Sequence, residues 1–154
     1  MKRFNLIFGL LAVAASFTAC SKEDDPKTKT ELITAKSWRM TAFTITTTTG
    51  SNTTTQDLYA SAGACSKDNF TKFNTDKRVI FDEGTTKCST TDPQSETGNW
   101  DFTANEAKLL LSEPGSSSAI TYDLVELSES TLKLRATEVF GTTTYVDNIT
   151  YASF

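Results

Sequence analysis

From Leu32 onward, apolar and polar residues alternate with a period of two in short runs, and turn-forming residues interrupt each run. That period places successive side chains on opposite faces of an extended strand, and it does not fit an amphipathic helix. Val79 and Phe81 share one parity within 77–82, Trp100 and Phe102 within 98–103, and Ile120, Tyr122 and Leu124 within 119–127. Leu132, Leu134 and Ala136 alternate with Lys133 and Arg135 in 131–140, and Tyr145, Ile149 and Tyr151 are in phase in 145–151. Within 36–48 the phase changes: Trp38, Met40 and Ala42 share one face, then Phe43 and Ile45 share the other, which predicts a bulge. Shorter strands are expected at 69–73 and 108–112, a brief helix or turn at 29–35, and a polar hairpin loop at 50–55. The 28 threonines of the chain, with runs at 46–49 and 53–55, agree with this, because β-branched residues favour strands. About eight strands are expected, joined mostly by turns such as Asn74-Thr75-Asp76, Pro114-Gly115 and Gly141. No run between them has the length of a crossover helix. An all-β antiparallel meander, curled on itself to hide its edges, is the simplest solution.

The first 31 residues obey a different logic. Lys2 and Arg3 precede the apolar stretch 4–15, whose length and flanks fit a signal-peptide core rather than a spanning helix. Ser16-Phe17-Thr18-Ala19-Cys20 follows. A small residue directly before a cysteine resembles the lipobox of bacterial lipoproteins, with Phe17 where leucine is usual; the bland alternative is a secreted protein with a chance cysteine. The resemblance implies removal of residues 1–19 and acylation of Cys20. Each buried methylene contributes about 0.8 kcal/mol, so two or three acyl chains such as palmitate hold a protein on a membrane without any transmembrane helix. Residues 20–31 then form a polar tether of the lipidated cysteine and a flexible, charged segment. Its acidic run, Ser21-Lys22-Glu23-Asp24-Asp25, resembles the export signal that carries Bacteroidota lipoproteins to the outer face of the outer membrane; a merely solvated linker reads the same way. The expected location is lipid-anchored at the outer membrane, with the cell surface as one of its two faces. Residues 32–154 make the folded domain.

Loss of Lys2 and Arg3 takes the net charge from −4 to −6. An acidic domain without a basic patch argues against nucleic acid as a partner. The chain has no histidine, and so lacks the commonest general base, transition-metal ligand and pH switch. Of three cysteines, Cys65 and Cys88 remain after Cys20 is assigned to lipid. In an oxidising compartment an even pair reads as one disulfide, and the closed loop contributes about 3.4 kcal/mol by chain entropy. A metal or redox site is the competing reading, and it lacks both Cys-x-x-Cys spacing and histidine. Ser130-Thr131-Leu132-Lys133 matches Ser-x-x-Lys, but on an expected strand. There is no Gly-x-Ser-x-Gly, calcium-loop pattern or phosphate-cradling glycine loop. The adjacent acids Asp82 and Glu83 read as a strand end, and the sequons at Asn52, Asn69 and Asn148 carry no meaning in a bacterium. No catalytic set, metal or cofactor is expected, and the chain does not read as an enzyme.

Taken in order, residues 32–38, Cys65-Ser66-Lys67-Asp68-Asn69, Phe73-Asn74-Thr75-Asp76, Asp82-Glu83-Gly84, Cys88, Gly98-Asn99-Trp100, Leu109-Leu110-Leu111 and Leu132-Lys133-Leu134 resemble the lipocalin-like domain of Bacteroidota lipoproteins. The resemblance implies an up-and-down barrel of about eight strands. It makes Trp38 the plug of the closed end, although Lys36 stands where lipocalins carry a glycine, and it offers Arg135 as a cover for Trp38 through a cation–π contact. The candidate barrel-interior residues are Trp38, Phe81, Trp100, Phe102, Tyr122 and Tyr145, which either line a cavity or fill a core; a domain this small favours core. A large pocket is not expected from such short strands. The implied function is binding of a small apolar or amphipathic ligand. The alternative is a surface module that binds a protein or glycan through the loops 50–57 and 84–98, which are poor in aromatic residues.

Overall fold

The computed structural model describes residues 26–116 and 118–154. The leader, Cys20 and the acidic run lie outside the described residues. Where description begins, Thr28 caps a six-residue helix, α1 (Lys29–Thr34). The cap is reciprocal: Glu31 N donates to Thr28 Oγ1, and Thr28 N donates to the Glu31 carboxylate. Nine strands follow: β1 (Ser37–Thr49), β2 (Asn52–Asp57), β3 (Phe70–Phe73), β4 (Arg78–Asp82), β5 (Ser95–Thr103), β6 (Lys108–Ser112), β7 (Ala119–Leu127), β8 (Thr131–Phe140) and β9 (Thr143–Ser153). Two single-turn helices, α2 (Leu58–Ser61) and α3 (Ala64–Lys67), separate β2 from β3. No helix among the described residues is long and apolar enough to cross a membrane.

All strand pairings are antiparallel, and β1 pairs with β9 to close a barrel of eight strands. β2 is the ninth strand and stands outside the closure. One edge of β1 is shared: β2 pairs with Thr44–Thr49, and β3 pairs with Ser37–Arg39. The other edge pairs with β9 along nearly its whole length, with a register shift between Met40 and Ala42. This is the bulge the phase change predicts. It lets Trp38, Met40, Phe43 and Ile45 face one side of a single bent strand.

Two expectations are corrected. The segment 50–55 is mostly strand rather than loop, since the turn needs only Gly50 and Ser51 before β2 begins. Gly50 supplies the positive φ of 59°. The threonines there pair across strands, Thr46 with Thr55 at 3.0 Å and Thr48 with Thr53 at 3.1 Å between hydroxyl oxygens. Such paired hydroxyls stabilise a strand pair with no apolar burial, so a wholly exposed β2 persists. Arg135 does not cover Trp38. It lies on the outer face, 3.5 Å from Asp123, because β8 turns Leu132, Leu134 and Ala136 inward and leaves Lys133 and Arg135 outside.

The barrel is packed solid at one end. Ile33, Trp38, Phe73, Val79, Trp100, Leu109, Leu132 and Leu134 form a buried cluster. α1 closes that end by seating Ile33, and Trp38 Nε1 donates to the Ile33 carbonyl at 2.8 Å. The bond satisfies the indole in an apolar setting and ties plug to barrel wall. Trp100 lies edge-on between Phe73 and Phe102, with ring centroids 5.5 and 5.4 Å away, and its Nε1 donates to the Asn74 carbonyl at 3.0 Å.

Candidate functional site

Above this sealed floor the barrel is hollow. A cavity of about 790 Å³ rises from Trp38 to the opposite end, where α2, α3 and the loops after β4 and β6 form a rim. Its walls come from the same inward parities that build the floor one or two residues lower. β1 contributes Met40 and Phe43, β4 Phe81, β7 Ile120 and Tyr122, and β9 Ile149 and Tyr151. The volume is within the range of pockets that enclose small organic ligands. The sequence-based expectation of a filled interior therefore holds for the lower half only. Closure by eight strands leaves room for one small ligand where side chains do not fill the interior, and here the tryptophan floor stops short of walls lined by phenylalanine, tyrosine, isoleucine and methionine.

The rim is cross-braced. The Cys65–Cys88 disulfide joins α3 to the loop between β4 and β5, with Cα atoms 5.1 Å apart. Beside it, Asp68 Oδ2 accepts hydrogen bonds from Thr85 N at 3.1 Å, Thr85 Oγ1 at 2.7 Å and Thr86 N at 2.8 Å. These donors hold the Asp68 carboxyl below its usual range, led by the Thr85 hydroxyl. The Asn69 amide, oriented as its neighbours require, donates to the carbonyls of Cys65 at 2.8 Å and Glu83 at 2.9 Å. Gly84, at φ +69°, packs so closely that a Cβ there would sit 2.4 Å from the Asp68 carbonyl oxygen. The Cys-Ser-Lys-Asp-Asn, Asp-Glu-Gly and Cys pieces of the sequence are thus parts of one brace across the mouth.

The charge in the cavity has one sign. Asp82, Glu83, Asp92, Glu96, Glu113 and Asp147 reach its lining, and no lysine or arginine does. The ion pairs of the described residues lie elsewhere. Lys77–Asp101, Lys108–Asp123 and Lys133–Glu126 sit on the outer wall, and Lys27–Glu129 lies at the closed end. Asp147 faces the cavity from β9 at the same parity as Ile149 and Tyr151. Burial, then the nearby Glu138 charge, pushes its carboxyl above the usual range. Burial also raises the Tyr122 and Tyr151 hydroxyls. Among the described residues no group of three or more acidic or cysteine side chains is disposed to hold a metal ion.

The six expected interior residues divide by height. Trp38 is the floor. Phe81 and Tyr122 line the cavity. Trp100 is buried in the solid half, and Phe102 packs against that cluster half-buried. Tyr145 shares the inward parity but stands 37% exposed above the mouth, edge-on to Phe140 at 6.0 Å. There β8, β9, β1 and β2 continue beyond the barrel as a four-stranded extension. A second depression of about 320 Å³ lies on its inner face, between Ile45, Ala136, Phe140 and Tyr145, with Glu138 and Asp147 at its border. Sequence reasoning passed over Asp147. The signal was present: it is the one acid among the inward-parity residues Tyr145, Ile149 and Tyr151.

Two comparisons bear on this architecture. The family described as lipocalin-like domain matches residues 34–134. Among solved structures, a lipocalin-like protein from Bacteroides uniformis is similar at 11% identity and a TM-score of 0.43, covering 77% of this chain and 96% of that one. No curated protein matches the chain.

Proposed function

The chain belongs to the lipocalin-like domain family, and from that premise we propose that it is an envelope lipoprotein, anchored at the outer membrane through acylated Cys20, whose barrel holds a small apolar or amphipathic ligand. The observation that carries the reading is the 790 Å³ cavity over an aromatic floor. Burying apolar surface contributes roughly 25 cal/mol per Å², so a cavity with these walls favours a ligand's hydrocarbon part over water. A solid floor and a braced mouth keep the cavity in shape without a ligand, which limits the ordering cost of binding. The role proposed is carriage or capture rather than chemistry, since the cavity brings together no nucleophile and base.

The test uses the soluble domain from residue 21 onward and N-phenyl-1-naphthylamine, a neutral dye that fluoresces in apolar surroundings. Saturable enhancement, abolished by Phe81→Trp or Ile149→Trp fillers that keep the fold by circular dichroism, is expected. Absence of saturable binding by this dye, together with native mass spectra free of co-purifying small molecules, would overturn ligand carriage. It would leave the reading of a surface module that engages a protein or glycan through the rim.

A further inference from the structure

We infer that the ligand carries a positive charge: the cavity is built for a cationic amphiphile, its hydrocarbon part on the aromatic floor and its ammonium or guanidinium head among carboxylates at the mouth. This rests on the proposed ligand carriage and narrows it. The first observation is the distribution of charge. Carboxylates enter the upper cavity from β4, β5, β9 and the loops after β4 and β6, and no cationic side chain answers them. Two lysines of the rim donate to backbone, and one of them, Lys87, does so at the cavity residue Asp92. Lys67 Nζ donates to the Ala60 carbonyl at 3.4 Å and stands 5.1 Å from the Tyr59 ring centroid, and Lys87 donates to the Asp92 carbonyl.

The second observation is the pairing of individual groups. Asp76, Asp101, Asp123, Glu126 and Glu129 each meet a lysine or arginine within 3.5 Å, and Asp82 at the mouth accepts from Gly84 N and Gln94 Nε2. In the cavity, Asp147 and Glu113 make no side-chain hydrogen bond or ion pair with any described residue, and neither do the hydroxyls of Tyr122 and Tyr151. Glu113 is exposed and water serves it, whereas Asp147, Tyr122 and Tyr151 are partly buried. Polar groups so placed are normally paired, so these three mark where an external donor belongs. An ammonium head supplies donors only, and Tyr122, Tyr151 and Phe81 offer ring faces beside the carboxylates. Burial, then the nearby Glu138 charge, raises the Asp147 carboxyl, and a cation brought beside it would favour its ionised form. With no three acids converging as metal ligands, the field is diffuse and suits an organic head rather than a bare ion. An anionic amphiphile, such as a fatty acid, would meet the same carboxylates as repulsion.

The experiment compares three ten-carbon amphiphiles below their micelle concentrations: decylammonium, decyl alcohol and decanoate. Each is titrated into the dye-loaded soluble domain at neutral pH and low salt. Decylammonium is expected to displace dye at least about tenfold more tightly than decanoate, one decade being about 1.4 kcal/mol. Salt should shrink the difference, because the rim is open to solvent. Asp147→Asn with Glu113→Gln should lower the ratio of cationic to neutral affinity. Equal displacement by all three, or preference for decanoate, would overturn the charge assignment while leaving ligand carriage standing. Displacement by none of the three with the dye still bound would also overturn the charge assignment alone, whereas failure of the dye itself to bind would remove both. The salt series on the unaltered protein decides the question if the double variant fails to fold.

Discussion

Trp38 shows how much one side chain can determine. Its ring is at once the core's largest member, the cavity's floor and the partner of the α1 plug. Trp38→Ala should cost about 3–5 kcal/mol, read from denaturant unfolding, and should also deepen the cavity enough to alter dye binding. A near-neutral result would mean the plug is not structural. Trp38 was legible through the resemblance to lipocalins, which places a tryptophan plug at the start of the first strand. Asp147 behaves oppositely. Its folded carboxyl titrates above the unfolded one, so ionisation costs folding free energy. That cost is absent below the unfolded pKa, grows as pH rises toward the folded pKa, and is complete above it. Asp147→Asn should therefore raise the melting temperature at pH 7 and leave it unchanged near pH 3. A gain of equal size at both pH values would assign the effect to shape rather than charge. The inward face of Asp147 was legible in its parity, but its place beside a cavity was not, because parity shows only which face a residue joins. The height at which packing stops is a three-dimensional quantity.

Among the elements, the most legible were those with strict alternation. β7, β8 and β9 follow the parity of their apolar residues, and the bulge in β1 follows from the phase change between Met40 and Phe43. β2 was missed for a physical reason. Asn52–Asp57 has no buried side chain, so no apolar period marks it, and its stability comes from hydroxyl pairs and backbone bonds to β1. α2 and α3, at four residues each, span barely one turn and so show no repeated helical period, and they owe their place to the cap by Asp57 and to the bridge at Cys65. The brace formed by those short elements can be tested as a unit. Reduction of Cys65–Cys88 should lower the melting temperature, with a ceiling of about 3.4 kcal/mol from loop entropy. Ligand affinity should fall as well, since the bridge positions two rim segments. An unchanged transition in reductant, with free thiols demonstrated, would show that the Asp68 and Asn69 bonds hold the rim alone.

At the scale of the molecule, the proposed anchoring belongs to the segment before Pro26 and the proposed carriage to the barrel. The two should separate cleanly. Cys20→Ser is expected to move the protein from the membrane fraction to the soluble fraction while leaving the dye titration unchanged. Retention in the membrane would overturn the lipid anchor. All-β class, barrel closure and the disulfide were readable from alternation, turn spacing and the cysteine count. The hollow upper half was not, because side-chain volumes along a strand do not report the bore they must fill. The brace also gives the mouth a handedness. Two of the four rim segments, α3 and the loop after β4, are welded together by a covalent link and a carboxylate. Among the described residues, the hairpin at Pro114-Gly115 has no such fastening to either. In the proposed carriage, a guest would accordingly pass in and out on the side of that hairpin.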